Sequence, residues 1–411
     1  MKKIIYSIIF LILSFAVKIS AQDDLSRYLT TAAENNTSLK VKFNEYMAML
    51  ERIPQVAALP DPSIAFGYFI QPVETKSGPQ QAKISATQMF PWFGTRSSLK
   101  NSVAALAKAK YEIFEEAKSK LFYDIKSSYY DLYFNQQAIK ITNENIKILY
   151  SFKGLAKIKI ESGTASSLDI YRVQMEINDL KNQLSLLKNN AHALSVKFNS
   201  YLNIDTNSPI NIAENLKELT YLDKQYILTN IRINNHSLNA FDYQIEELRH
   251  RQKVATKEGL PRFSVGIDYS FIGKGDNTAS NRGQDAIMFP MIGFTIPLYR
   301  GKYKAKVQEV KYLQTAKANE KIDKENTLIV LFENIWKEYQ DALSRTKLYQ
   351  EQKELAEKSL SILETEYANN NINFEEILRM ERQRLKYSLE KQKATADREA
   401  AIAFIQYLQG K

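Results

Sequence analysis

The sequence predicts a mainly helical fold with a smaller β component, and it predicts that one plan is used twice. Three observations carry this. The prolines are confined almost entirely to two short windows. The tracts that follow those windows are long and carry coiled-coil spacing. A set of short segments also recurs once, about 200 residues further on.

Nine of the ten prolines lie within 54–91 and 261–297. None stands between Pro91 and Pro209, and none follows Pro297. Proline inside a helix costs ~3 kcal/mol or more. Long proline-free tracts rich in Lys, Glu, Leu, Ala and Gln therefore predict helix. Gly94 to Gly163 predicts one helix of roughly 100 Å at ~1.5 Å per residue, and Gly301 to about Asn370 predicts its counterpart. Along the second, Leu328, Phe332, Ile335, Tyr339 and Ala342, then Ala356, Leu360, Leu363 and Tyr367, recur at steps of four and three. That is the spacing of a coiled-coil seam. Gly163-Thr164-Ala165-Ser166 and Asn369-Asn370-Asn371 break the two helices at their far ends. The chain reverses there, and the antiparallel return helices end near Leu202 and near the C-terminus.

The proline windows alternate instead. In Phe263 to Phe271, large apolar residues stand on one face and small or polar ones on the other. Ile292, Phe294 and Ile296 share a face, as do Ile64, Phe66, Tyr68 and Ile70, and Ala82, Ile84 and Ala86. These segments predict four strands paired as two hairpins, with polar loops at 72–81 and 273–286.

The recurring segments set the organisation. Asn35-Asn36-Thr37-Ser38-Leu39 returns as Asn234-Asn235-His236-Ser237-Leu238. Phe90-Pro91-Trp92-Phe93-Gly94 returns as Ile296-Pro297-Leu298-Tyr299-Arg300-Gly301, and Asp169-Ile170-Tyr171-Arg172 as Glu376-Ile377-Leu378-Arg379. The expected domains are a leader over 1–21, a first repeat over 22–210 and a second over 211–411. The first repeat holds a helix, a β-hairpin at 63–90 and a helical hairpin with its tip near 163–166. The second holds a helix, a β-hairpin at 262–299 and a helical hairpin with its tip near 369–373.

The leader rests on Lys2 and Lys3, the apolar run Ile4–Val17 and Ile19-Ser20-Ala21, which are the parts of a secretory signal peptide. The run is shorter than the ~20 apolar residues of a spanning helix. No second run of spanning length follows, which leaves a soluble mature chain or a membrane β-barrel, whose alternation hides its apolar signal. There is no cysteine, so thiolate metal sites, disulfides and thiol nucleophiles are excluded. The formal charge of +10 is spread over bases interleaved with acids, which reads as solvated helix and not as a nucleic-acid surface.

Alternating strands also suit a half-buried soluble sheet. Strands of about ten residues match a tilted membrane crossing, and Phe90, Trp92, Phe93 and Tyr299 cluster where a strand would leave the bilayer. Four strands cannot close, since the smallest membrane barrels have ~8, and an open edge cannot face lipid. Several copies must share a barrel. Two would fill it with side chains, and three would leave a water-filled lumen.

The order helix, β-hairpin, long helix, tip and returning helix, given twice after a leader, resembles the TolC-like outer-membrane efflux family. Leu59-Pro60-Asp61-Pro62, Gln88-Met89-Phe90-Pro91-Trp92-Phe93-Gly94 and Gly163-Thr164-Ala165-Ser166-Ser167-Leu168-Asp169 resemble that family's strand start, strand–helix junction and helix tip. The first two are similar to the heavy-metal efflux branch. The resemblance covers nearly all of the chain after the leader. It implies a homotrimer with a twelve-stranded barrel in the outer membrane and a helical tunnel in the periplasm. It further implies docking to a periplasmic adaptor (membrane fusion) protein and an inner-membrane transporter of RND or ABC type. The implied function is the exit duct of a tripartite pump, or of type I protein secretion. A periplasmic coiled-coil scaffold explains the helices but not the duplicated aromatic hairpins.

A duct needs no cofactor and no catalytic residue, and none is expected. His192, His236 and His250 form no ligand pair in sequence. Asp169, Glu375, Glu376 and Arg379 are the pore-lining or gate candidates. Carboxylates repeated around an axis make a cation-selective ring, although the same acids also suit a helix N-terminus. The resemblance implies an acid at the position of Glu376. One turn on, where some members carry another acid, this chain has Arg379, which is spaced to pair with Glu375 or Glu376. Gly163, Thr164, Ala165 and Asn370 are the adaptor-contact candidates, and Gly163 also suits a turn with positive φ.

Overall fold

The computed structural model describes residues 21–164, 166–216, 222–274, 284–369 and 373–411, with side chains from residue 24. Residues 1–20 of the expected leader, and the candidates Ala165 and Asn370, lie outside the described residues. Among the described residues the chain is mainly helical with one four-stranded antiparallel sheet. In order, the elements are α1 (Ala21–Asn35), α2 (Thr37–Ala57), β1 (Ser63–Thr75), β2 (Gly78–Phe90), α3 (Thr95–Glu161), α4 (Ser167–Leu202), α5 (Lys224–Asn234), α6 (His236–Glu258), β3 (Arg262–Ile272), β4 (Ala286–Thr295), α7 (Arg300–Ala368) and α8 (Phe374–Leu408). The helices group into two compact units. One holds the described residues up to Val41 with Glu115–Asn235 and Asn326–Lys411, and the other Lys42–Phe114 with His236–Glu325.

The first unit is built on the seam. Leu328, Phe332, Tyr339, Ala342, Ala356, Leu360 and Tyr367 are all buried along α7. Their neighbours at the far end are Phe152, Ala156, Val173, Ile177, Phe374 and Ile377, so α3, α4, α7 and α8 share one apolar core there. Near the other end of α4, the Tyr28 ring meets Phe198 edge-on at 5.1 Å. The hydroxyls of Tyr28 and Tyr129 accept from the backbone N–H groups of Asn211 and Ala213 at 2.8 and 2.9 Å.

Sequence reading expects one N-terminal helix per half, and the structure has two. The breaks fall at Asn36 and Asn235, inside the repeated Asn-Asn segment. Asn36 Oδ1 accepts from Leu39 N–H at 3.0 Å, a cap that starts a fresh helix. Asn36 Nδ2 donates to the Tyr201 carbonyl at 2.9 Å, and Asn235 Nδ2 donates to the Leu408 carbonyl at 2.9 Å. The same residue thus holds the end of α4 in one half and of α8 in the other. Removing the donor from a buried carbonyl costs about 1–3 kcal/mol. Asn235→Ala is expected to lower the thermal unfolding midpoint, and Asn235→Asp to fail to restore it, because a carboxylate donates no hydrogen bond.

The second unit carries the sheet. Residue pairing runs Phe66–Ile84–Tyr269–Ile287 across all four strands, with Ile64–Ala86–Ile267 beside it. This face is apolar except for Gln88, which pairs with Val265, and on the outer strands it is open: Phe66 is 68% exposed and Phe294 70%. The opposite face carries Ala65–Ser85–Asp268–Met288 and Gly67–Lys83–Ser270–Ala286. Lys83 and Asp268 form a diagonal ion pair there at 2.5 Å. Pro290 stands where the β3–β4 register shifts, between Gly266 and Asp268, a position that needs no ladder donor. Pro54 lies in the last turn of α2, which runs on to Ala57, so this proline falls inside a helix end and not in the sheet window.

Candidate functional site

Two regions gather the candidate residues, one in each unit. The first is the far end of the helices. Gly163 has φ +73° and closes α3. Thr164 N–H reaches the Lys159 carbonyl at 2.8 Å and Gly163 N–H that of Ile160 at 2.9 Å, the paired bonds of a Schellman end. An added Cβ at Gly163 would meet nothing within 4 Å, so backbone conformation alone demands glycine there. Ser166 and Asn373 then cap α4 and α8 by accepting from the N–H of Leu168 and of Glu375.

The acids follow immediately, and each has an arginine. Arg172 reaches Asp169 at 3.4 Å and Glu375 at 3.6 Å. Arg382 reaches Glu375 at 2.7 Å and Glu176 at 3.1 Å. Asp169, Arg172, Glu375, Arg382 and Glu176 thus form one alternating chain of charge across the starts of α4 and α8. Arg379 turns to Glu376 instead, with Nη2 at 2.6 Å. Asp169 is buried, whereas the side chains of Glu376 and Arg379 are 43% and 55% exposed. Burial pushes the Glu176 carboxyl above its ordinary value. Arg382 pulls it back, while Asp179 and Glu375 add to the rise.

Sequence reading missed Arg382, Arg172 and Glu176 as members of this network. A signal was present: Asp169-x-x-Arg172 and Glu376-x-x-Arg379 occupy equivalent places in the two halves, and both form pairs across one helical turn. Lys159 was missed as well. It is buried, donates to the carbonyls of Tyr367 and Ala368 at 2.5 and 3.3 Å, and lies 4.5 Å from the Tyr367 ring centre. It ties the end of α7 to α3 and complements that helix's negative terminus.

The second region is the junction of sheet and helices. Phe90 stacks on Phe263 at 5.9 Å, Phe93 lies 5.3 Å from Phe263, and Trp92 meets Phe93 edge-on at 6.0 Å. Together with Leu59, Arg96 and Lys100 they line a cavity of about 530 Å³. Gly94 has φ +73°, and its carbonyl accepts from Lys257 Nζ at 2.9 Å. Tyr299 does not join this cluster and is 84% exposed. Among the described residues, no helix is long and apolar enough to cross a membrane.

No family model matches the chain. "Toxin and drug export protein A" of Aggregatibacter actinomycetemcomitans is 21% identical over 218 residues, which is 52% of this chain and 47% of that protein. The chain thus spans about half the length of the curated relatives it matches. Among solved structures, the outer-membrane channel OprN superposes with a TM-score of 0.74 at 17% identity, over 94% of this chain and 90% of that one. The outer membrane protein VceC of Vibrio cholerae does so with a TM-score of 0.75 at 11% identity, over 94% and 96%. At these identities it is the fold that is shared, and it is shared over nearly the whole length. The chain carries the fold of the TolC-like outer-membrane efflux channels, the family that its sequence resembles.

Proposed function

We propose that this chain is the outer-membrane exit duct of a tripartite efflux pump. In this reading three copies share one barrel of twelve strands, and their helices continue as a tunnel in the periplasm. The duct docks on a periplasmic adaptor and receives cargo from an inner-membrane transporter of RND or ABC type. It conducts passively and performs no bond chemistry. The internal two-fold repeat gives each copy two hairpins and two helical hairpins.

The observation that carries the reading is the sheet. Its apolar face is open on β1 and β4, its other face carries small and polar residues with Met89, Met288 and Met291, and among the described residues its order β1-β2-β3-β4 leaves both outer edges unpaired. Backbone edges cannot face lipid, so copies that pair edge to edge satisfy both demands at once. The fold shared with outer-membrane channels supports the same conclusion. The name of the export protein from Aggregatibacter actinomycetemcomitans couples toxin with drug export, which supports an efflux role.

Expression in cells stripped of their own duct, together with a periplasmic adaptor and an inner-membrane transporter, tests the role. Restored tolerance to at least one exported compound is the expected result. An abundant oligomer in the outer membrane that restores none would contradict it.

At the tip, Glu376 is proposed to face the lumen and Arg379 to offset it. Glu376→Ala is expected to shift the single-channel reversal potential away from cation selectivity, because it leaves the arginine charge uncompensated. The trimer should persist. Recordings identical to the parent's would remove Glu376 from the lining.

A further inference from the structure

The junction cavity is open and largely apolar, and the segment after β4 is apolar and exposed. The cavity draws on the approach to β1, the end of β2 and the start of β3, through Leu59, Phe90, Trp92, Phe93 and Phe263. It is apolar except for Arg96, Ser97 and Lys100 at one rim. The segment after β4 is Ile296-Pro297-Leu298-Tyr299, with Ile296 67%, Leu298 77% and Tyr299 84% exposed. Three large apolar side chains in four residues are open to solvent, yet none of them lines the cavity in its own chain.

We infer that Leu298 and Tyr299 of one copy fill the aromatic cavity of the next copy, locking neighbouring subunits at the sheet–helix junction. The inference rests on the shared-barrel reading, and the topology supplies its geometry. In an antiparallel sheet ordered β1-β2-β3-β4, the start of β1 and the end of β4 lie at the same end. If β4 of one copy pairs with β1 of the next, the residues after Thr295 emerge beside the residues before Ser63. Neighbouring strands lie ~4.8 Å apart, so the cavity is within one or two strand spacings of the incoming segment.

The contact is head-to-tail, with a cavity on one side of each copy and a plug on the other. A ring of copies therefore fills every cavity and covers every plug. Arg96 also has a role in it. It already donates to the Ala57 carbonyl through Nε at 2.9 Å, which holds its guanidinium at the rim. There the face and hydroxyl of an incoming tyrosine can meet it.

The chain has no native cysteine, so cysteine pairs report the contact without a background. In the full chain in outer membranes, one cysteine replaces Leu59 or Trp92, and a second is walked through Ile296, Leu298 and Tyr299. A control cysteine at Ala65 in β1 is paired with one walked through Met291 to Thr295 in β4, along the expected seam. The expected result is that mild oxidation yields disulfide-linked dimers and trimers from both sets. The uncrosslinked Leu298→Asp variant should dissociate in detergent at a lower temperature than its parent. A crosslinked seam with an unlinked cavity would overturn the plug and leave the cavity to another occupant, such as lipid. If neither set crosslinks, the shared barrel itself fails, and the plug fails with it.

Discussion

Arg384→Met is expected to be the most destabilising single change in the helical unit. Glu381 is 1% exposed in the middle of that unit. Its carboxylate accepts from Arg384 Nε and Nη2 at 2.8 and 2.5 Å and from Asn145 Nδ2 at 2.6 Å. The same contact holds the Arg384 guanidinium above its ordinary value. Removing one member of a buried pair leaves an uncompensated charge, at a cost of about 3–5 kcal/mol. Replacing both members with apolar residues of similar volume is often neutral. Arg384→Met alone should therefore lower the unfolding temperature sharply, and the double variant Glu381→Leu/Arg384→Met should recover most of the loss. A single variant as stable as the double one would show that the pair holds no buried charge in check. The pair also decides how α3 meets α8, because Asn145 and Glu381 sit on those two helices.

Phe66→Arg is expected to abolish stable assembly, while Ala65→Arg, one residue away, is tolerated. Successive residues of a strand face opposite sides. Phe66 belongs to the open apolar face, and Ala65 shares the other face with Ser85 and Asp268. An arginine on the lipid face of a barrel costs about 2–4 kcal/mol near the bilayer midplane, and it is repeated in every copy. On the lumen face it meets water. The readout is the amount of heat-resistant oligomer in the outer-membrane fraction. Equal loss in both variants would mean that the sheet has no lipid side, and the alternation would then belong to an ordinary soluble sheet.

Much of the fold was legible because punctuation and period are local properties. The proline-free tracts became single helices over Thr95–Glu161 and Arg300–Ala368, since nothing in them interrupts the backbone ladder. The alternation around Ile64, Ile84 and Phe263 became strands in a register that keeps the apolar residues on one face. The breaks at Asn36 and Asn235 were visible as a repeated motif but not as breaks. Their cause is tertiary: each asparagine leaves the helix path to hold the end of a helix over 160 residues away.

The candidate tip was legible in part for the same reason. The spacing of Glu376 and Arg379 predicted a pair, and they form one. The bonds from Arg382 to Glu176 and from Arg172 to Glu375 join different helices, and no local spacing encodes them. Lys159 was equally hidden. A lone lysine near a helix end reads as solvated, and only the approach of α7 turns it into a clamp. At the junction, the sequence grouped Phe90, Trp92, Phe93 and Tyr299, and the first three meet while Tyr299 stands apart. Their partner Phe263 lies some 170 residues on and enters through the β2–β3 pairing, which joins the two hairpins into one sheet.

The central claim is that copies of this chain close their sheets into a conducting pore. The most direct test is to purify the protein from outer membranes, measure its mass in detergent and record from it in a planar bilayer. A trimer that conducts, even weakly while its tip is closed, is the predicted result. A water-soluble monomer without conductance would contradict the claim and make the four strands an ordinary sheet.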